Sequence, residues 1–227
     1  MLIVITPCTA KKDDSTPISN GSRVVQPSYY LDDKVLISRL YNIREQIFRD
    51  SKAKVGTKLT YAFDLYIKTG RAYRHLRDSG NQKRLKSTLI SGNEIEWFFL
   101  SGGYGIIHAL EATKKYQATF NRNIAYQKGI PYTTNLWKDT LTSISDAIFS
   151  KLQPEWLYVF GSKDYTYFVK QTNFWRIKNN IKMFESTGSS GPSWLSPKLN
   201  ELVYSVFNNR LRKFNEKYQK YVKQESR

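Results

Sequence analysis

Sulfur, histidine and acid are what this 227-residue sequence has least of. A single cysteine, Cys8, excludes an intramolecular disulfide and any cysteine-rich zinc site. The two histidines, His75 and His108, have no partner at ligand spacing, so no metal motif is present and neither a metal nor another cofactor is expected. No stretch approaches the ~18 apolar residues of a membrane span. The apolar start, Met1–Ile5, is short and has no basic region before it, so it reads as a buried strand and not a signal peptide. A cytoplasmic protein with no membrane contact is the expectation. There is no P-loop, no Gly-x-Gly-x-x-Gly turn after a strand and no Gly-x-Ser-x-Gly elbow, which weakens nucleotide-cofactor and serine-nucleophile readings.

The scarcity of acid sets the charge. Nineteen Asp+Glu against 36 Lys+Arg leave a net +17, and a chain of this kind meets a polyanion. Sixteen Tyr, 12 Phe and 5 Trp are available for stacking, so nucleic acid leads, DNA first. The excess is uneven. Residues 52–86 hold ten Lys/Arg and two Asp, and residues 206–227 hold seven Lys/Arg and two Glu, which predicts two basic walls around a less charged scaffold. Lys68, Arg71, Arg74 and Arg77 recur every three residues along a helix predicted over Leu59–Arg77, and Arg210, Arg212 and Lys213 fall in the last predicted helix. These seven are the candidates for contact with the DNA backbone.

Continuous apolar runs predict strands at Leu2–Thr6, Ile95–Leu100, Trp156–Phe160 and Ile181–Phe184. Helical spacing predicts helices over Asp32–Phe48, Leu59–Arg77, Trp137–Leu152, Tyr165–Thr172 and Pro197–Val222, with residues 7–30 a long loop. Strands alternating with helices define one α/β domain over residues 1–227: a three-layer α/β/α fold, mostly parallel, ending in a basic helix at about 197–223. Such sheets bind ligands beyond the carboxyl ends of their strands. The segments expected there are Thr6–Lys12, Ser101–Glu111, Gly161–Tyr165 and Glu185–Ser196.

Those segments carry the candidate chemistry. In a chain so basic, carboxylates in the edge loops stand out, and Glu111, Asp164 and Asp14 are the candidates for stabilising a sugar cation or activating water. The competing reading of each is a helix cap or a partner for Lys/Arg. Cys8, followed by Lys11 and Lys12, reads either as an activated thiol or as a small buried residue at a strand end. Lys11, Lys12, Ser189 and Ser190 are candidates for holding phosphates or base edges. Tyr104, Tyr116 and Trp194 are candidates for stacking on a base.

Four segments in order, "ITPCTAKKDD", "AFDLYIKTGRAYRHLR", "FLSGGYGIIHALEATKKYQATF" and "WLYVFGSKDYTYF", resemble a YaaA-like group of bacterial proteins over residues 1–170. The shared pattern is Cys-x-x-Lys-Lys after one strand, Leu-Ser-x-x-Tyr-Gly after another and Gly-x-x-x-Tyr after a third. The resemblance implies DNA binding and an association with oxidative stress. A second, more distant likeness lies in Gly191–Ser196, "GPSWLS", which is similar to the His-Pro-Ser-Pro-Leu-Ser loop of uracil-DNA glycosylases, with Gly191 at the catalytic histidine. It implies a glycosylase-like fold and a loop whose Trp194 or Leu195 fills the gap left by a flipped base. The resulting expectation is a DNA glycosylase acting on a flipped, modified base, a role that suits defence against phages with modified DNA. A non-catalytic YaaA-like DNA-binding stress protein and an RNA-binding or RNA-modifying protein are the alternatives.

Overall fold

The computed structural model describes residues 1–19, 21–92, 94–186 and 191–221. Among them, strands run in the order β1 (Leu2–Pro7), β2 (Leu59–Tyr61), β3 (Ile95–Ser101), β4 (Gly105–His108), β5 (Ala112–Lys114), β6 (Trp156–Ser162) and β7 (Ile181–Ser186). Five of them form one sheet in the spatial order β4-β3-β1-β6-β7. β1, β3, β6 and β7 are parallel, and β4 folds back antiparallel on β3. All seven residues of β3 are buried, the pattern of a strand covered on both faces. The four strands predicted from apolar runs are the four parallel ones. The antiparallel edge strand and the small β2–β5 pair were not predicted.

The helices are α1 (Pro27–Tyr30), α2 (Lys34–Arg49), α3 (Ala62–Ile67), α4 (Arg74–Asp78), α5 (Asn81–Ser91), α6 (Arg122–Lys128), α7 (Thr134–Leu152), α8 (Lys163–Lys170), α9 (Asn173–Ile177), α10 (Gly191–Phe207) and α11 (Leu211–Lys217). In one layer α7 packs against α2, α8 and α9, and α8 rests on β6 and β7. In the other, α10 packs against α4, α5 and α11 and lies on β6 and β7, while α5 lies on β3. This is a three-layer α/β arrangement with a mostly parallel sheet. No helix among the described residues is long and apolar enough to cross a membrane.

Asp33 caps α2, accepting from the amides of Val35 at 2.7 Å and Leu36 at 3.3 Å. Two predicted helices change shape. The one expected over Leu59–Arg77 is a strand, α3, a 3₁₀ turn at Arg71–Tyr73 and then α4. Leu59–Tyr61 pairs with β5 instead of entering a helix. The chain then turns at Gly70, which lies so close to its surroundings that a Cβ there would stand 2.3 Å from Thr9 Cγ2 and 2.7 Å from the Tyr66 carbonyl oxygen. The helix expected over Pro197–Val222 begins earlier, at Gly191, and carries Pro197 inside it. It breaks at Asn209, whose φ of +54° is left-handed, and resumes as α11.

One buried ion pair and one buried histidine–carboxylate hydrogen bond brace the fold. Arg44 of α2 reaches Glu111 at 2.5 Å, the Tyr104 carbonyl at 2.9 Å and the Ile106 carbonyl at 2.9 Å. Tyr30 donates to the second oxygen of Glu111 at 2.8 Å. His108 of β4 meets Glu96 of β3 at 2.6 Å. The amide of Leu110 donates to His108 Nδ1 at 3.1 Å, so Nε2 carries the proton shared with Glu96. Both histidine nitrogens are thereby committed to structure.

Candidate active site at the carboxyl edge of the sheet

From β1 the chain goes on to β3 on one side, and from β6 to β7 on the other. The carboxyl ends of β1 and β6 therefore flank the topological switch point, where open α/β sheets hold ligands. Cys8 leaves β1 there, its amide bonded to the Leu100 carbonyl at 2.7 Å. Its Sγ lies 3.6 Å from the hydroxyl of Tyr165, in the first turns of α8 after β6.

A chain of hydroxyls backs this pair. Tyr116 OH is 3.0 Å from Tyr66 OH and bonds to Ser101 Oγ at the end of β3. Ser101 Oγ also accepts from the Tyr104 amide at 3.0 Å. Tyr73 donates to the Pro7 carbonyl at 2.5 Å, which fastens the Gly70 turn to the end of β1. Burial raises the pKa of Tyr66, Tyr73, Tyr116 and Tyr165, and the neighbouring Cys8 adds to the rise, so all four keep their protons at neutral pH and remain donors. The side chain of Lys12 lies across this group with Nζ 4.2 Å from the centre of the Tyr116 ring. Burial lowers its pKa. Cys8 opposes that shift, and Lys128 and Lys115 reinforce it.

Asp164 stands at the rim, half-buried and next to Tyr165. The side-chain amide of Asn121 donates to its Oδ2 at 2.6 Å. The oxygen of the same Asn121 accepts from Ile124 N at 2.9 Å and so caps α6. The carboxylate is thus oriented by a residue that a helix start holds in place. Asp14 is half-buried near Gly56, where a Cβ would lie 3.6 Å from its Oδ2 and 3.4 Å from Lys115 Cβ.

Several expected site residues are elsewhere. Glu111 is buried in the Arg44 pair, with neither oxygen turned to the crevice, so it is withdrawn as a catalytic candidate. Tyr104 is a packed turn residue. Its ring meets Phe48 and Tyr116 edge-on and its hydroxyl accepts from Lys114 N at 2.7 Å, which leaves no face for a base. Tyr116 is fully buried and forms a floor, not a stacking platform. Gly191–Ser196 is helix, not loop. Leu195 is buried in the core and Ser196 accepts from the His75 amide at 3.0 Å, so Leu195 is no wedge. Trp194 is half-buried, with Lys198 Nζ 3.8 Å from its ring centre and Tyr221 edge-on to it. Ser189 and Ser190 lie outside the described residues.

The basic candidates also divide. Arg71 and Arg74 are exposed beside the edge. Arg77 turns inward and donates to the carbonyls of Ile67 and Gly70 at 2.7 Å each, so it fixes the turn instead of meeting DNA. Lys68 is exposed but engaged with Ser15 and with Asp13 at 3.6 Å. Arg210 and Lys213 are exposed, and Arg212 pairs with Glu216 on its own helix. Lys11 is exposed, and its carbonyl accepts from the Thr9 and Thr69 hydroxyls.

Sequence reasoning singled out Cys8, Lys12, Tyr116 and Asp164 of this cluster and missed Tyr66, Tyr73, Ser101, Asn121 and Tyr165 as site residues. Ser101 and Tyr165 were within reach, since both lie in segments expected at the carboxyl edge, Ser101–Glu111 and Gly161–Tyr165. The four segments that carry the likeness to the YaaA-like group supply Cys8 and Lys12, Tyr66 and Tyr73, Ser101 and Tyr116, and Tyr165, all at one edge of the sheet. Comparison with known proteins finds no family model that matches the chain and no curated protein that matches it.

Proposed function

We propose that this chain is a DNA-binding glycosylase that hydrolyses the N-glycosidic bond of a modified base flipped into the crevice between β1 and β6. One observation carries the reading: the carboxylate of Asp164, oriented by Asn121, stands beside a cluster of protonated hydroxyls and Lys12 at the switch point of a chain with net +17. Cleaving a glycosidic bond leaves positive charge on the sugar and negative charge on the departing base. Asp164 faces the first demand. It balances the sugar cation and takes a proton from the water that attacks C1′. The hydroxyl of Tyr165 and the amine of Lys12 face the second, as donors to the leaving base. The exposed Arg71 and Arg74, fixed beside the same edge, hold the phosphates that flank it. A uracil-DNA-glycosylase-like relationship is part of this proposal, without a leucine wedge at position 195. Defence against phages with modified DNA is the role that suits it.

The test needs no cofactor. The protein is incubated with duplexes carrying plain or modified bases, and free base and alkali-labile sites are measured. Asp164→Asn is expected to retain DNA binding and to lose base release by about 10²-fold or more. Undiminished release by that variant would remove Asp164 from the mechanism. Binding with no release from any modified duplex would leave a non-catalytic DNA-binding protein.

A further inference from the structure

We propose that Lys12 is a nucleophile, and that its amine forms an imine with C1′ of the abasic deoxyribose left in the crevice after the base departs. The inference rests on the glycosylase reading above and gives the site a second activity. Its ground is the placement of one side chain. Lys12 is 6% exposed, yet no described residue accepts a hydrogen bond from its Nζ. No buried side-chain nitrogen or oxygen among the described residues lacks a partner. The Lys12 amine is therefore not sealed in. Its Nζ lies over the face of the Tyr116 ring, with no acceptor to hold it there.

A structural lysine in such a position has a carboxylate or carbonyl to bind. Lys182 shows the contrast in the same molecule, with Nζ spent on the carbonyls of Asn215 and Tyr218 at 3.0 Å each. Lys12 has only the face of an aromatic ring, which attracts a cation weakly and accepts no proton. Burial lowers the pKa of Lys12 against the opposing effect of Cys8; Lys128 and Lys115 add to the lowering, and the neutral form of a desolvated amine attacks carbonyl carbon. Lys11, one residue earlier, is exposed to solvent.

The step balances without an oxidant or reductant. The abasic sugar opens to its C1′ aldehyde. The Lys12 nitrogen lone pair forms the C–N bond, and an amine proton passes to the former carbonyl oxygen. Loss of the second amine proton and departure of that oxygen as water complete the imine. The ring beneath the amine belongs to Tyr116, whose hydroxyl bonds to Ser101 and Tyr66.

The experiment uses the full chain and a duplex with a preformed abasic site, so it does not depend on base release. Borohydride is added to trap the imine as a stable amine. The expected result is a covalent protein–DNA species whose linked peptide maps to Lys12. Lys12→Arg, which keeps a long basic side chain but no nucleophilic amine, is expected to bind the duplex and lose the species, while Lys11→Arg retains it. No trapped species from wild-type protein shown to bind the duplex would overturn the inference, as would linkage to any other residue. Mapping on the wild-type chain decides the matter even if the Lys12 variant fails to fold. Base release without trapping sinks the imine alone, and trapping without base release sinks the glycosylase reading.

Discussion

Burying the guanidinium of Arg44 and the carboxylate of Glu111 strips both of hydration, and the pair is tolerated because each nitrogen of the guanidinium and each oxygen of the carboxylate is hydrogen-bonded. Removing one partner leaves the other charge buried alone. Glu111→Gln is therefore expected to cost about 3–5 kcal/mol of stability, read as a fall in the urea midpoint. The same variant should release base at the wild-type rate per folded molecule, which separates it from Asp164→Asn. A third carboxylate responds to pH. Glu185 on β7 accepts from Lys170 at 2.6 Å and from the Thr166 hydroxyl. Burial works to raise its pKa, and the bonds from Lys170 and Thr166 outweigh that and leave it lowered. A carboxyl held low in the folded state adds stability that is complete above its unfolded value and lost as pH falls through the folded one. Glu185→Gln is expected to flatten the loss of unfolding midpoint below about pH 4.3, measured against wild type over an acid series.

At the level of elements, the parallel strands were legible because burial on both faces writes itself as a continuous apolar run. The helix starting at Asp33 was legible through its cap. The segment 59–77 was not, because three-residue spacing of Lys68, Arg71, Arg74 and Arg77 imitates a helical stripe while Gly70 and β5, both distant in sequence from what they touch, break it. Glu111 looked like a site carboxylate for a similar reason: its partner, Arg44, is 67 positions away and nothing local announces it. The loop expected at Gly191–Ser196 failed at the same level, since a short sequence match says nothing of whether the backbone is loop or helix. Leu195 now belongs to the core, and Leu195→Ala is expected to cost about 2–5 kcal/mol by the cavity it leaves. Any activity of that variant should fall equally on duplex and single-stranded DNA; a selective loss on duplex would restore the wedge.

For the molecule as a whole, described parts of the two basic walls expected from the sequence meet in one layer. Helix α10 packs along the Arg71–Tyr73 turn and α4 and contacts α5. Arg84 of α5 donates to the Phe207 carbonyl at 3.1 Å and covers the Phe207 ring, at the end of α10 near Arg210. Basic residues from positions 71–86 and 210–213 thus share one side of the sheet. Each phosphate contact contributes about 0.9 to the slope of log affinity against log salt. Arg71→Ala and Arg74→Ala are each expected to reduce that slope by about one. Arg77→Ala is expected to leave the slope and lower stability, because its charge is spent on the Ile67 and Gly70 carbonyls. Titration at several salt concentrations distinguishes the three.

The position of β1 has a consequence in time. It is synthesised before its partners, pairing with residues 95–100 on one side and 156–159 on the other. Until β3 and β6 have been made, the N-terminal strand has two unpaired edges, and Cys8 and Lys12 have neither Tyr116 nor Tyr165 beside them. Closing loops of that length is slow and must precede any reward from the central strand. The crevice therefore comes into being late in synthesis, and a nascent chain stopped before β6 exposes an apolar strand edge of the kind that recruits other chains.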